Sequence, residues 1–427
     1  MKTFRSMLLN PLSKERFDLI KDGALRVDKG GRIVGYGHFS DVRKKSDEVL
    51  DYRDYVIMPG LIDTHVHLPQ YDMVAMDGFE LLDWLNKYTF PAEKRFESAY
   101  VARDAAKRFF YDLRKNGTTA ASVYCTIHKE ATDVSFEEAE KSGLRVVMGK
   151  VMMDQNAPDF LLEKTLSSVE DSIELCKKWN GKNGGKLMYS FTPRFAPTCS
   201  MELMRAASSY ANKLGAHIQT HLSENKGEID WVKKLFPKYR NYTDVYSSAG
   251  LLTDHTIMAH SIYLSDGELR MLKEKRTKIS HCPSSNFFLK SGVFDLQRAW
   301  RLGLDVGLGS DVGGGPNLSL FREMTNECNA SKVNYLFGKS HSVLDPAAAL
   351  YTATLGGAKA LNMDRRIGNL SKGKLADFLV LDAAAVDPLN NIEDRSKLEI
   401  LSQLIYRGDD RVVVKTYVDG KPVYERK

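Results

Sequence analysis

Eight short apolar runs recur along the middle of the chain, and segments with helical periodicity separate them. The runs are VIMPGLIDTHVHL, TTAASVYC, LRVVMGKVMM, KLMYSFTPRF, AHIQTHLSE, TIMAHSIYL, TKISHCPSS and LDVGLGSDVGGG. Intervening stretches such as AYVARDAAKRFFYDLRKNG and MELMRAASSYANKLG place apolar residues three and four positions apart and end at glycine. Strand–helix alternation repeated eight times predicts an α/β fold, a (β/α)8 TIM-like barrel over residues 58–365. An open doubly wound sheet is the alternative, but no GxGxxG motif follows an early strand.

Both ends of the chain carry a different pattern. Residues 1–57 include LRVDKGGRIVGYG, which alternates apolar and polar residues around a Gly-Gly pair and so predicts a hairpin. Residues 366–427 include IGNLSKGKLADFLVLD and then RVVVKTYVDGKPVYE, which alternates in the same way around Asp-Gly. We expect the two ends to form one small β-sandwich domain, with the barrel inserted between its halves.

Composition excludes several classes of protein. The chain is 43% hydrophobic and 27% charged, as in ordinary globular proteins, and its net charge of +6 is not gathered into a basic block. We therefore expect no nucleic-acid partner, and no apolar run approaches the roughly 18 residues of a membrane span. The N-terminal pattern is not that of a secretory signal. The five cysteines are scattered without a CxxC pair, which favours a reducing cytoplasm.

Polar residues occur where the apolar runs end, and barrel active sites are built at the C-terminal ends of strands. His65 and His67 end the first run. Because residues two apart on a strand face the same side, both should point into the mouth of the barrel. Later runs end in further polar residues, namely Arg194, His221 with Glu224 three positions beyond, His260, His281 and Asp311.

This set of residues predicts a metal site. Imidazole nitrogens and carboxylate oxygens are good ligands for zinc or ferrous iron. The predicted ligands are His65, His67, His221 and Asp311, with a water at the remaining position. A metal can lower the pKa of water from 15.7 to about 7, which unassisted histidines would not match. Glu224, one turn from a predicted ligand, is then suited to carry protons to a substrate.

Simpler interpretations compete with these assignments. A lone His-x-His pair is often a buried, hydrogen-bonded pair; Glu224 alone resembles a solvated charge at a helix start, and Asp311 alone resembles a turn residue. Their combination at several strand ends favours the metal site. For His281, which precedes Cys282 and Pro283, a loop-shaping role and a site role are equally open. Cys282 is not expected to be a nucleophile. The other histidines are expected to be structural or exposed: His38, His128, His217, His255 and His341.

Several stretches together resemble the amidohydrolase superfamily, in its aminohydrolase branch: PGLIDTHVHLPQY, HLSEN, MAHSIYLS, SHCPSSN and GLGSDVGGG. LLDWLNKYTFPAEKRF and TPRFAPTCS are similar to the branch members that act on guanine. The resemblance covers nearly the whole chain. It implies a hydrolase acting on a cyclic amidine C–N bond, in which metal-activated hydroxide adds to C2 of guanine and gives xanthine and ammonia. It also implies a homodimer and a role in purine catabolism or salvage.

The resemblance implies a role for each matching residue. The metal ligands correspond to His65, His67, His221 and Asp311, the proton shuttle to Glu224, the histidine that orients the hydroxide to His260, and the guanine-binding positions to Gln70, Arg194 and Phe195. A single metal is expected, because FTPRF lacks the lysine that bridges two metals in binuclear relatives. Leu68 stands where alanine is usual, with no expected functional cost.

The substrate-binding residues suit a purine on physical grounds. Arg194 offers a planar fork of donors to a ring carbonyl and an adjacent acceptor. Gln70 offers one donor and one acceptor, and Phe195 can stack on the ring. Two alternatives remain open. One is a deaminase or chlorohydrolase of another heterocycle, such as a triazine, a pterin or S-adenosylhomocysteine, against which LLDWL and TPRF argue. The other is a non-catalytic scaffold, against which the full ligand set and Glu224 argue.

Overall fold

The structure, a computed structural model, describes residues 1–387 and 392–427, and these residues form two sheets. The strands are β1 (Lys2–Pro11), β2 (Phe17–Val27), β3 (Ile33–His38), β4 (Glu48–Pro59), β5 (Leu61–His67), β6 (Thr118–Tyr124), β7 (Arg145–Gly149), β8 (Val151–Met152), β9 (Leu187–Pro193), β10 (His217–Leu222), β11 (Thr256–His260), β12 (Lys278–His281), β13 (Val306–Leu308), β14 (Phe378–Leu381), β15 (Val413–Val418) and β16 (Lys421–Glu425).

Helices connect most of the barrel strands. The α-helices of six or more residues are Ala99–Lys115, Lys129–Ser142, Thr165–Trp179, Met201–Leu214, Lys226–Leu235, Tyr242–Ser248, Asp266–Glu274, Pro283–Phe288, Leu296–Arg301, Leu320–Leu336, Pro346–Tyr351 and Lys397–Arg407. Shorter α-helices are Phe39–Val42, Leu81–Trp84, Phe90–Lys94, Lys182–Gly185 and Gly357–Ala360, and Leu85–Thr89 and Thr352–Gly356 are π-helical. None of the helices within the described ranges has the length and apolar character needed to cross a membrane.

Eight parallel strands form the barrel, in the order β5, β6, β7, β9, β10, β11, β12 and β13, with β8 paired to β9 beside this path. Each of the eight apolar runs contains one of these strands. The first and last strands meet beyond β13, where the Asp311 N–H donates to His65 O (2.8 Å) and the His67 N–H donates to Val312 O (2.7 Å). The predicted (β/α)8 barrel is therefore confirmed, and the open doubly wound sheet is wrong.

The local sequence explains these elements. Every residue of β5, β6 and β7 is buried, as expected for parallel strands covered on both faces. The helix Ala99–Lys115 begins at Ser98, whose side chain accepts a hydrogen bond from the Val101 N–H. Its buried residues recur at three- and four-residue steps, so one face packs against the barrel.

The second sheet combines both ends of the chain, in the order β16, β15, β14, β4, β1, β2 and β3. The turn between β2 and β3 contacts the segment just before β14, where the Ala376 N–H donates to Gly31 O (2.8 Å). The Phe4 ring packs edge-on against the rings of Phe378 and Tyr417, with centroids 4.9 Å and 5.4 Å apart. The small β-domain made from both chain ends is thus confirmed. Its boundaries at residues 57 and 365 stay predictions.

A buried ion pair joins this small domain to the barrel. Arg145 begins β7, and its side chain is only 2% exposed. Its Nε donates to Asp377 Oδ2 at 2.7 Å and its Nη2 to Asp377 Oδ1 at 3.2 Å, and the guanidinium also pairs with Asp419. The small domain therefore contacts the N-terminal end of the barrel strands and leaves the opposite end free for a site.

Candidate active site

Three histidines and one aspartate converge at the C-terminal end of the barrel. His65 and His67 lie at the end of β5, His221 lies in β10, and Asp311 follows β13. Asp311 Oδ1 is 3.0 Å from His65 Nε2 and 3.2 Å from His67 Nε2. His67 Nε2 is also 3.2 Å from His65 Nε2 and 3.3 Å from His221 Nε2. The structure therefore brings together all four residues that the sequence predicts as metal ligands.

The spacing of these atoms fits one metal ion. Donor atoms about 2.0–2.1 Å from a tetrahedral metal lie roughly 3.3 Å from one another. The His221 Nδ1–H donates to Arg194 O at 2.7 Å, which leaves the Nε2 lone pair for a metal. Burial lowers the pKa of His65 to about 4 and holds the pKa of His221 well below its ordinary value. Both rings are therefore neutral and able to act as ligands.

The backbone is strained near the C-terminal ends of two barrel strands, β11 and β13, where it presents polar side chains. Asp311 has φ +49° and His260 has φ +66°, in the left-handed region that residues other than glycine rarely adopt. Glycine is required nearby, because a Cβ on Gly315 would lie 1.8 Å from Ser310 O. The GLGSDVGGG segment can therefore turn sharply after β13 and direct the Asp311 carboxylate into the site.

Glu224 and His260 form a second polar pair beside the cluster. Glu224 Oε1 accepts a hydrogen bond from Ser291 Oγ at 3.0 Å, and Glu224 Oε2 lies 3.4 Å from His260 Nε2. The His260 Nδ1–H donates to Asn286 Oδ1 at 2.9 Å. Burial raises the pKa of Glu224 to about 7. A carboxyl group with that pKa can take up and release a proton near neutral pH.

A cavity opens over these groups. Gln70, Arg194 and Phe195 line it, together with the apolar side chains of Leu81 and Trp84. All three residues that the resemblance assigns to substrate binding therefore face the same space as the His/Asp cluster. The cavity combines an apolar wall with a few convergent polar groups, which is the usual character of a small-molecule site.

A buried glutamate behind the cavity was not singled out in the sequence. Glu93 lies in the helix Phe90–Lys94, and its side chain is 2% exposed. Its Oε1 accepts from Gln70 Nε2 at 3.0 Å, and its Oε2 accepts from Arg194 Nη1 at 2.6 Å. Nothing in the stretch FPAEKRFE distinguishes Glu93 from the exposed Glu97, so no local signal could have found it.

A model of the amidohydrolase family matches residues 56–423, which is most of the chain. The chain belongs to the amidohydrolase family. Among relatives of this amidohydrolase, the guanine deaminase of Escherichia coli K12 is 42% identical over 414 residues, covering 95% of this chain and 92% of the relative. The solved structure of the E. coli guanine deaminase superposes with a TM-score of 0.93 at 39% identity and full coverage of both chains.

A guanine deaminase from C. acetobutylicum, solved with guanine bound in its active site, is also similar to this amidohydrolase. Its TM-score is 0.93 at 36% identity, and the match covers 99% of this chain and 100% of that chain. Within the family, this amidohydrolase is thus a homologue of guanine deaminases.

His281 lies apart from the main cavity of this amidohydrolase. Its buried ring packs 5.0 Å from the Phe294 ring and faces a separate small cavity that Glu327 and Asn334 also line. Neither ring nitrogen has a hydrogen-bond partner among the described residues. Burial lowers the pKa of His281 to about 3, so its ring is neutral. Of its two interpretations, the geometry favours the structural one.

The remaining histidines and Cys282 lie outside the His/Asp cluster. Burial raises the pKa of the Cys282 thiol well above its ordinary value, which does not suit a nucleophile. The five cysteines are all buried and free. Exposed histidines are His38, His255 and His341, while His128 is half-buried and His217 is buried.

Proposed function

We propose that this amidohydrolase deaminates guanine hydrolytically, giving xanthine and ammonia. The observation that carries the proposal is the meeting, in one cavity, of the His/Asp cluster, Glu224 with its raised pKa, and the Gln70 and Arg194 side chains. Homology with guanine deaminases, one of them solved with guanine bound, supports the same substrate. The reaction belongs to purine catabolism or salvage.

We propose one divalent metal, with zinc as the first candidate and iron as the alternative. His65, His67, His221 and Asp311 would hold it, since neutral imidazoles and a carboxylate suit both ions. A cation bound at such a site supplies a hydroxide nucleophile at neutral pH by lowering the pKa of water to about 7. The FTPRF segment offers no lysine to bridge a second metal, which supports a single ion.

Glu224 is the proposed proton carrier. It takes a proton from the attacking water and gives it to the ring nitrogen next to C2 while the oxygen bonds to C2. It then moves the remaining hydroxyl proton to the exocyclic nitrogen. The C2–nitrogen bond breaks with its electron pair on nitrogen, ammonia leaves, and the C2 carbonyl of xanthine remains. His260, fixed by Asn286 at 2.9 Å, is placed to orient the attacking oxygen.

The proposed substrate contacts follow from the shape and polarity of the cavity. The guanidinium of Arg194 can donate to the purine carbonyl and an adjacent acceptor, and Gln70 can offer both a donor and an acceptor to the ring edge. Phe195 can stack on the flat ring. Leu81 and Trp84 supply an apolar wall that excludes water from the reacting atoms.

An ultraviolet assay of guanine loss and xanthine gain, with and without a chelator, tests the proposal. We expect one xanthine and one ammonia per guanine, loss of activity with the chelator, and recovery with added zinc or iron. Elemental analysis would then identify the metal. Turnover of a triazine, a pterin or S-adenosylhomocysteine without turnover of guanine would replace the substrate and leave the fold unchanged.

We also propose that the enzyme is a cytoplasmic homodimer. The five free cysteines are consistent with a reducing compartment, and the family resemblance implies the dimer. Light scattering on the purified protein should give about twice the 48.1 kDa mass of one chain. A monomer at working concentrations would contradict the dimer without affecting the proposed reaction.

A further inference from the structure

We infer that Glu93 is a positioning residue, which sets the order of hydrogen-bond donors and acceptors that the cavity presents to the purine edge. The inference rests on the proposed deamination of guanine. Glu93 does not itself line the cavity, and each of its carboxylate oxygens holds one substrate-facing side chain. Oε1 accepts from Gln70 Nε2 at 3.0 Å, and Oε2 accepts from Arg194 Nη1 at 2.6 Å.

The first consequence concerns the amide of Gln70. A glutamine amide can adopt two orientations related by a half turn, which exchange its donor and its acceptor. Here the Gly313 N–H donates to Gln70 Oε1 at 3.3 Å, while Gln70 Nε2 donates to Glu93. A backbone N–H can only donate and an ionised carboxylate can only accept. Both neighbours therefore enforce the same orientation of the amide.

The second consequence concerns the charge of Arg194. Arg194 is only 3% exposed, and the cavity that it lines is also lined by Glu224 and Asp311. An unpaired guanidinium in such a poorly hydrated space would be drawn toward those anions. The ion pair with Glu93, and the Phe90 ring 5.4 Å from the guanidinium carbon, hold Arg194 on its own side of the cavity.

The substitution Glu93→Gln tests this role because glutamine is nearly isosteric but cannot satisfy the same neighbours. Its NH2 group would face either Arg194 Nη1 or Gln70 Nε2, both of which are donors. If the Gln70 amide turned to relieve the conflict, its own NH2 would meet the Gly313 N–H. Every orientation of the two amides leaves two donors facing each other, whereas the volume of the side chain is preserved.

The readouts are steady-state kinetics with guanine and the competitive inhibition constants of hypoxanthine and purine. Hypoxanthine carries the ring carbonyl and N1 hydrogen, and purine lacks both. In Glu93→Gln we expect the KM for guanine and the inhibition constant of hypoxanthine to rise about tenfold, while kcat changes less than about threefold. Purine inhibition should change by less than about twofold. The control Glu97→Gln, at an exposed position one turn further, should match the wild type.

If Glu93→Gln folds poorly in the wild-type chain, the same substitution can be tested in the Gln70→Leu variant. In Gln70→Leu the conflict disappears, because a glutamine at position 93 can direct its oxygen to Arg194 and its NH2 away from any donor. Adding Glu93→Gln to Gln70→Leu should therefore raise KM by clearly less than the roughly tenfold expected in the wild type, because only the loss of the carboxylate charge beside Arg194 remains. The double variant should fold as well as Gln70→Leu, as circular dichroism would show.

Three results would overturn the inference. The first is a Glu93→Gln enzyme whose KM for guanine and inhibition constants equal those of the wild type. The second is an equal rise in the inhibition constants of hypoxanthine and purine. The third is a rise in KM on adding Glu93→Gln to Gln70→Leu that is as large as the rise in the wild-type background. Failure of the wild-type enzyme to deaminate guanine would instead overturn the proposed function. The two failures are thus distinguishable in one set of assays.

Discussion

Replacing Glu224 by glutamine isolates the proton transfers of the proposed reaction. The two side chains have nearly the same shape, and the glutamine oxygen can still accept from Ser291 Oγ, which lies 3.0 Å from Glu224 Oε1. An amide, however, neither takes up nor releases a proton near neutral pH. Burial, in contrast, brings the pKa of Glu224 to about 7, which suits both directions of transfer.

The size of the loss can be estimated from this geometry. A positioned general acid or base contributes typically 10²- to 10⁴-fold, and each tenfold corresponds to about 1.4 kcal/mol, so the barrier should rise by about 3–5 kcal/mol. KM should change by less than about threefold, because Glu224 contacts Ser291 and His260 rather than the Gln70 and Arg194 side chains.

The measurement is kcat and KM for guanine by ultraviolet absorbance, with metal content determined for each variant. Glu202→Gln, an exposed position at the start of the helix Met201–Leu214, is the matched control. A Glu224→Gln enzyme with normal metal content and kcat within about threefold of the wild type would refute the assignment of Glu224 as the proton carrier.

Three further predictions concern binding and stability. Arg194→Ala should raise the KM for guanine about tenfold with little change in kcat, and a loss confined to kcat in the same kinetics would contradict its binding role. Arg145→Leu should lower the free energy of unfolding by about 3–5 kcal/mol, since two aspartates lose a buried partner, and denaturant titration showing under about 1 kcal/mol would contradict this. Burial raises the pKa of Glu327 to about 8 from an ordinary 4.5, so its stabilising contribution is complete below pH 4.5 and is lost as the pH rises through 8. Glu327→Gln should therefore flatten the decline of Tm between about pH 5 and 8, and Glu274→Gln, at an exposed position, should not.

The parts of this protein that sequence predicts well are those set by local patterns. The eight apolar runs are each long enough for one buried strand, and their spacing leaves room for the helices between them. Strand periodicity alone places His65 and His67 on one side of β5. The C-terminal ends of parallel strands meet at one end of a barrel, so His221 and Asp311 could be expected beside them without any knowledge of the loops.

The residues that hold the site side chains in place could not be predicted, because their positions depend on how loops fold over the barrel. Ser291 donates to Glu224 across a separation of 67 residues, and its own position in the sequence carries no periodic signal. Glu93 lies in the short helix Phe90–Lys94, which packs over the barrel mouth and buries it, whereas Glu97 ends the 3-10 turn that follows and is exposed. Both contacts are specific pairings between distant segments, which hydrophobic patterns do not encode.

The geometry of the cluster itself argues against a non-catalytic scaffold. The Nε2 atom of His67 lies 3.2 Å from that of His65 and 3.3 Å from that of His221, and an Asp311 oxygen lies 3.0 Å from His65 Nε2, so these polar atoms are crowded together in a buried space. Crowded polar atoms out of reach of water cost free energy, and a shared cation would offset that cost. The strained backbone at Asp311 and His260 adds a further cost that contributes nothing to packing. A chain selected for structure alone would fill these positions with apolar side chains, whereas binding and activating a nucleophile accounts for each of them.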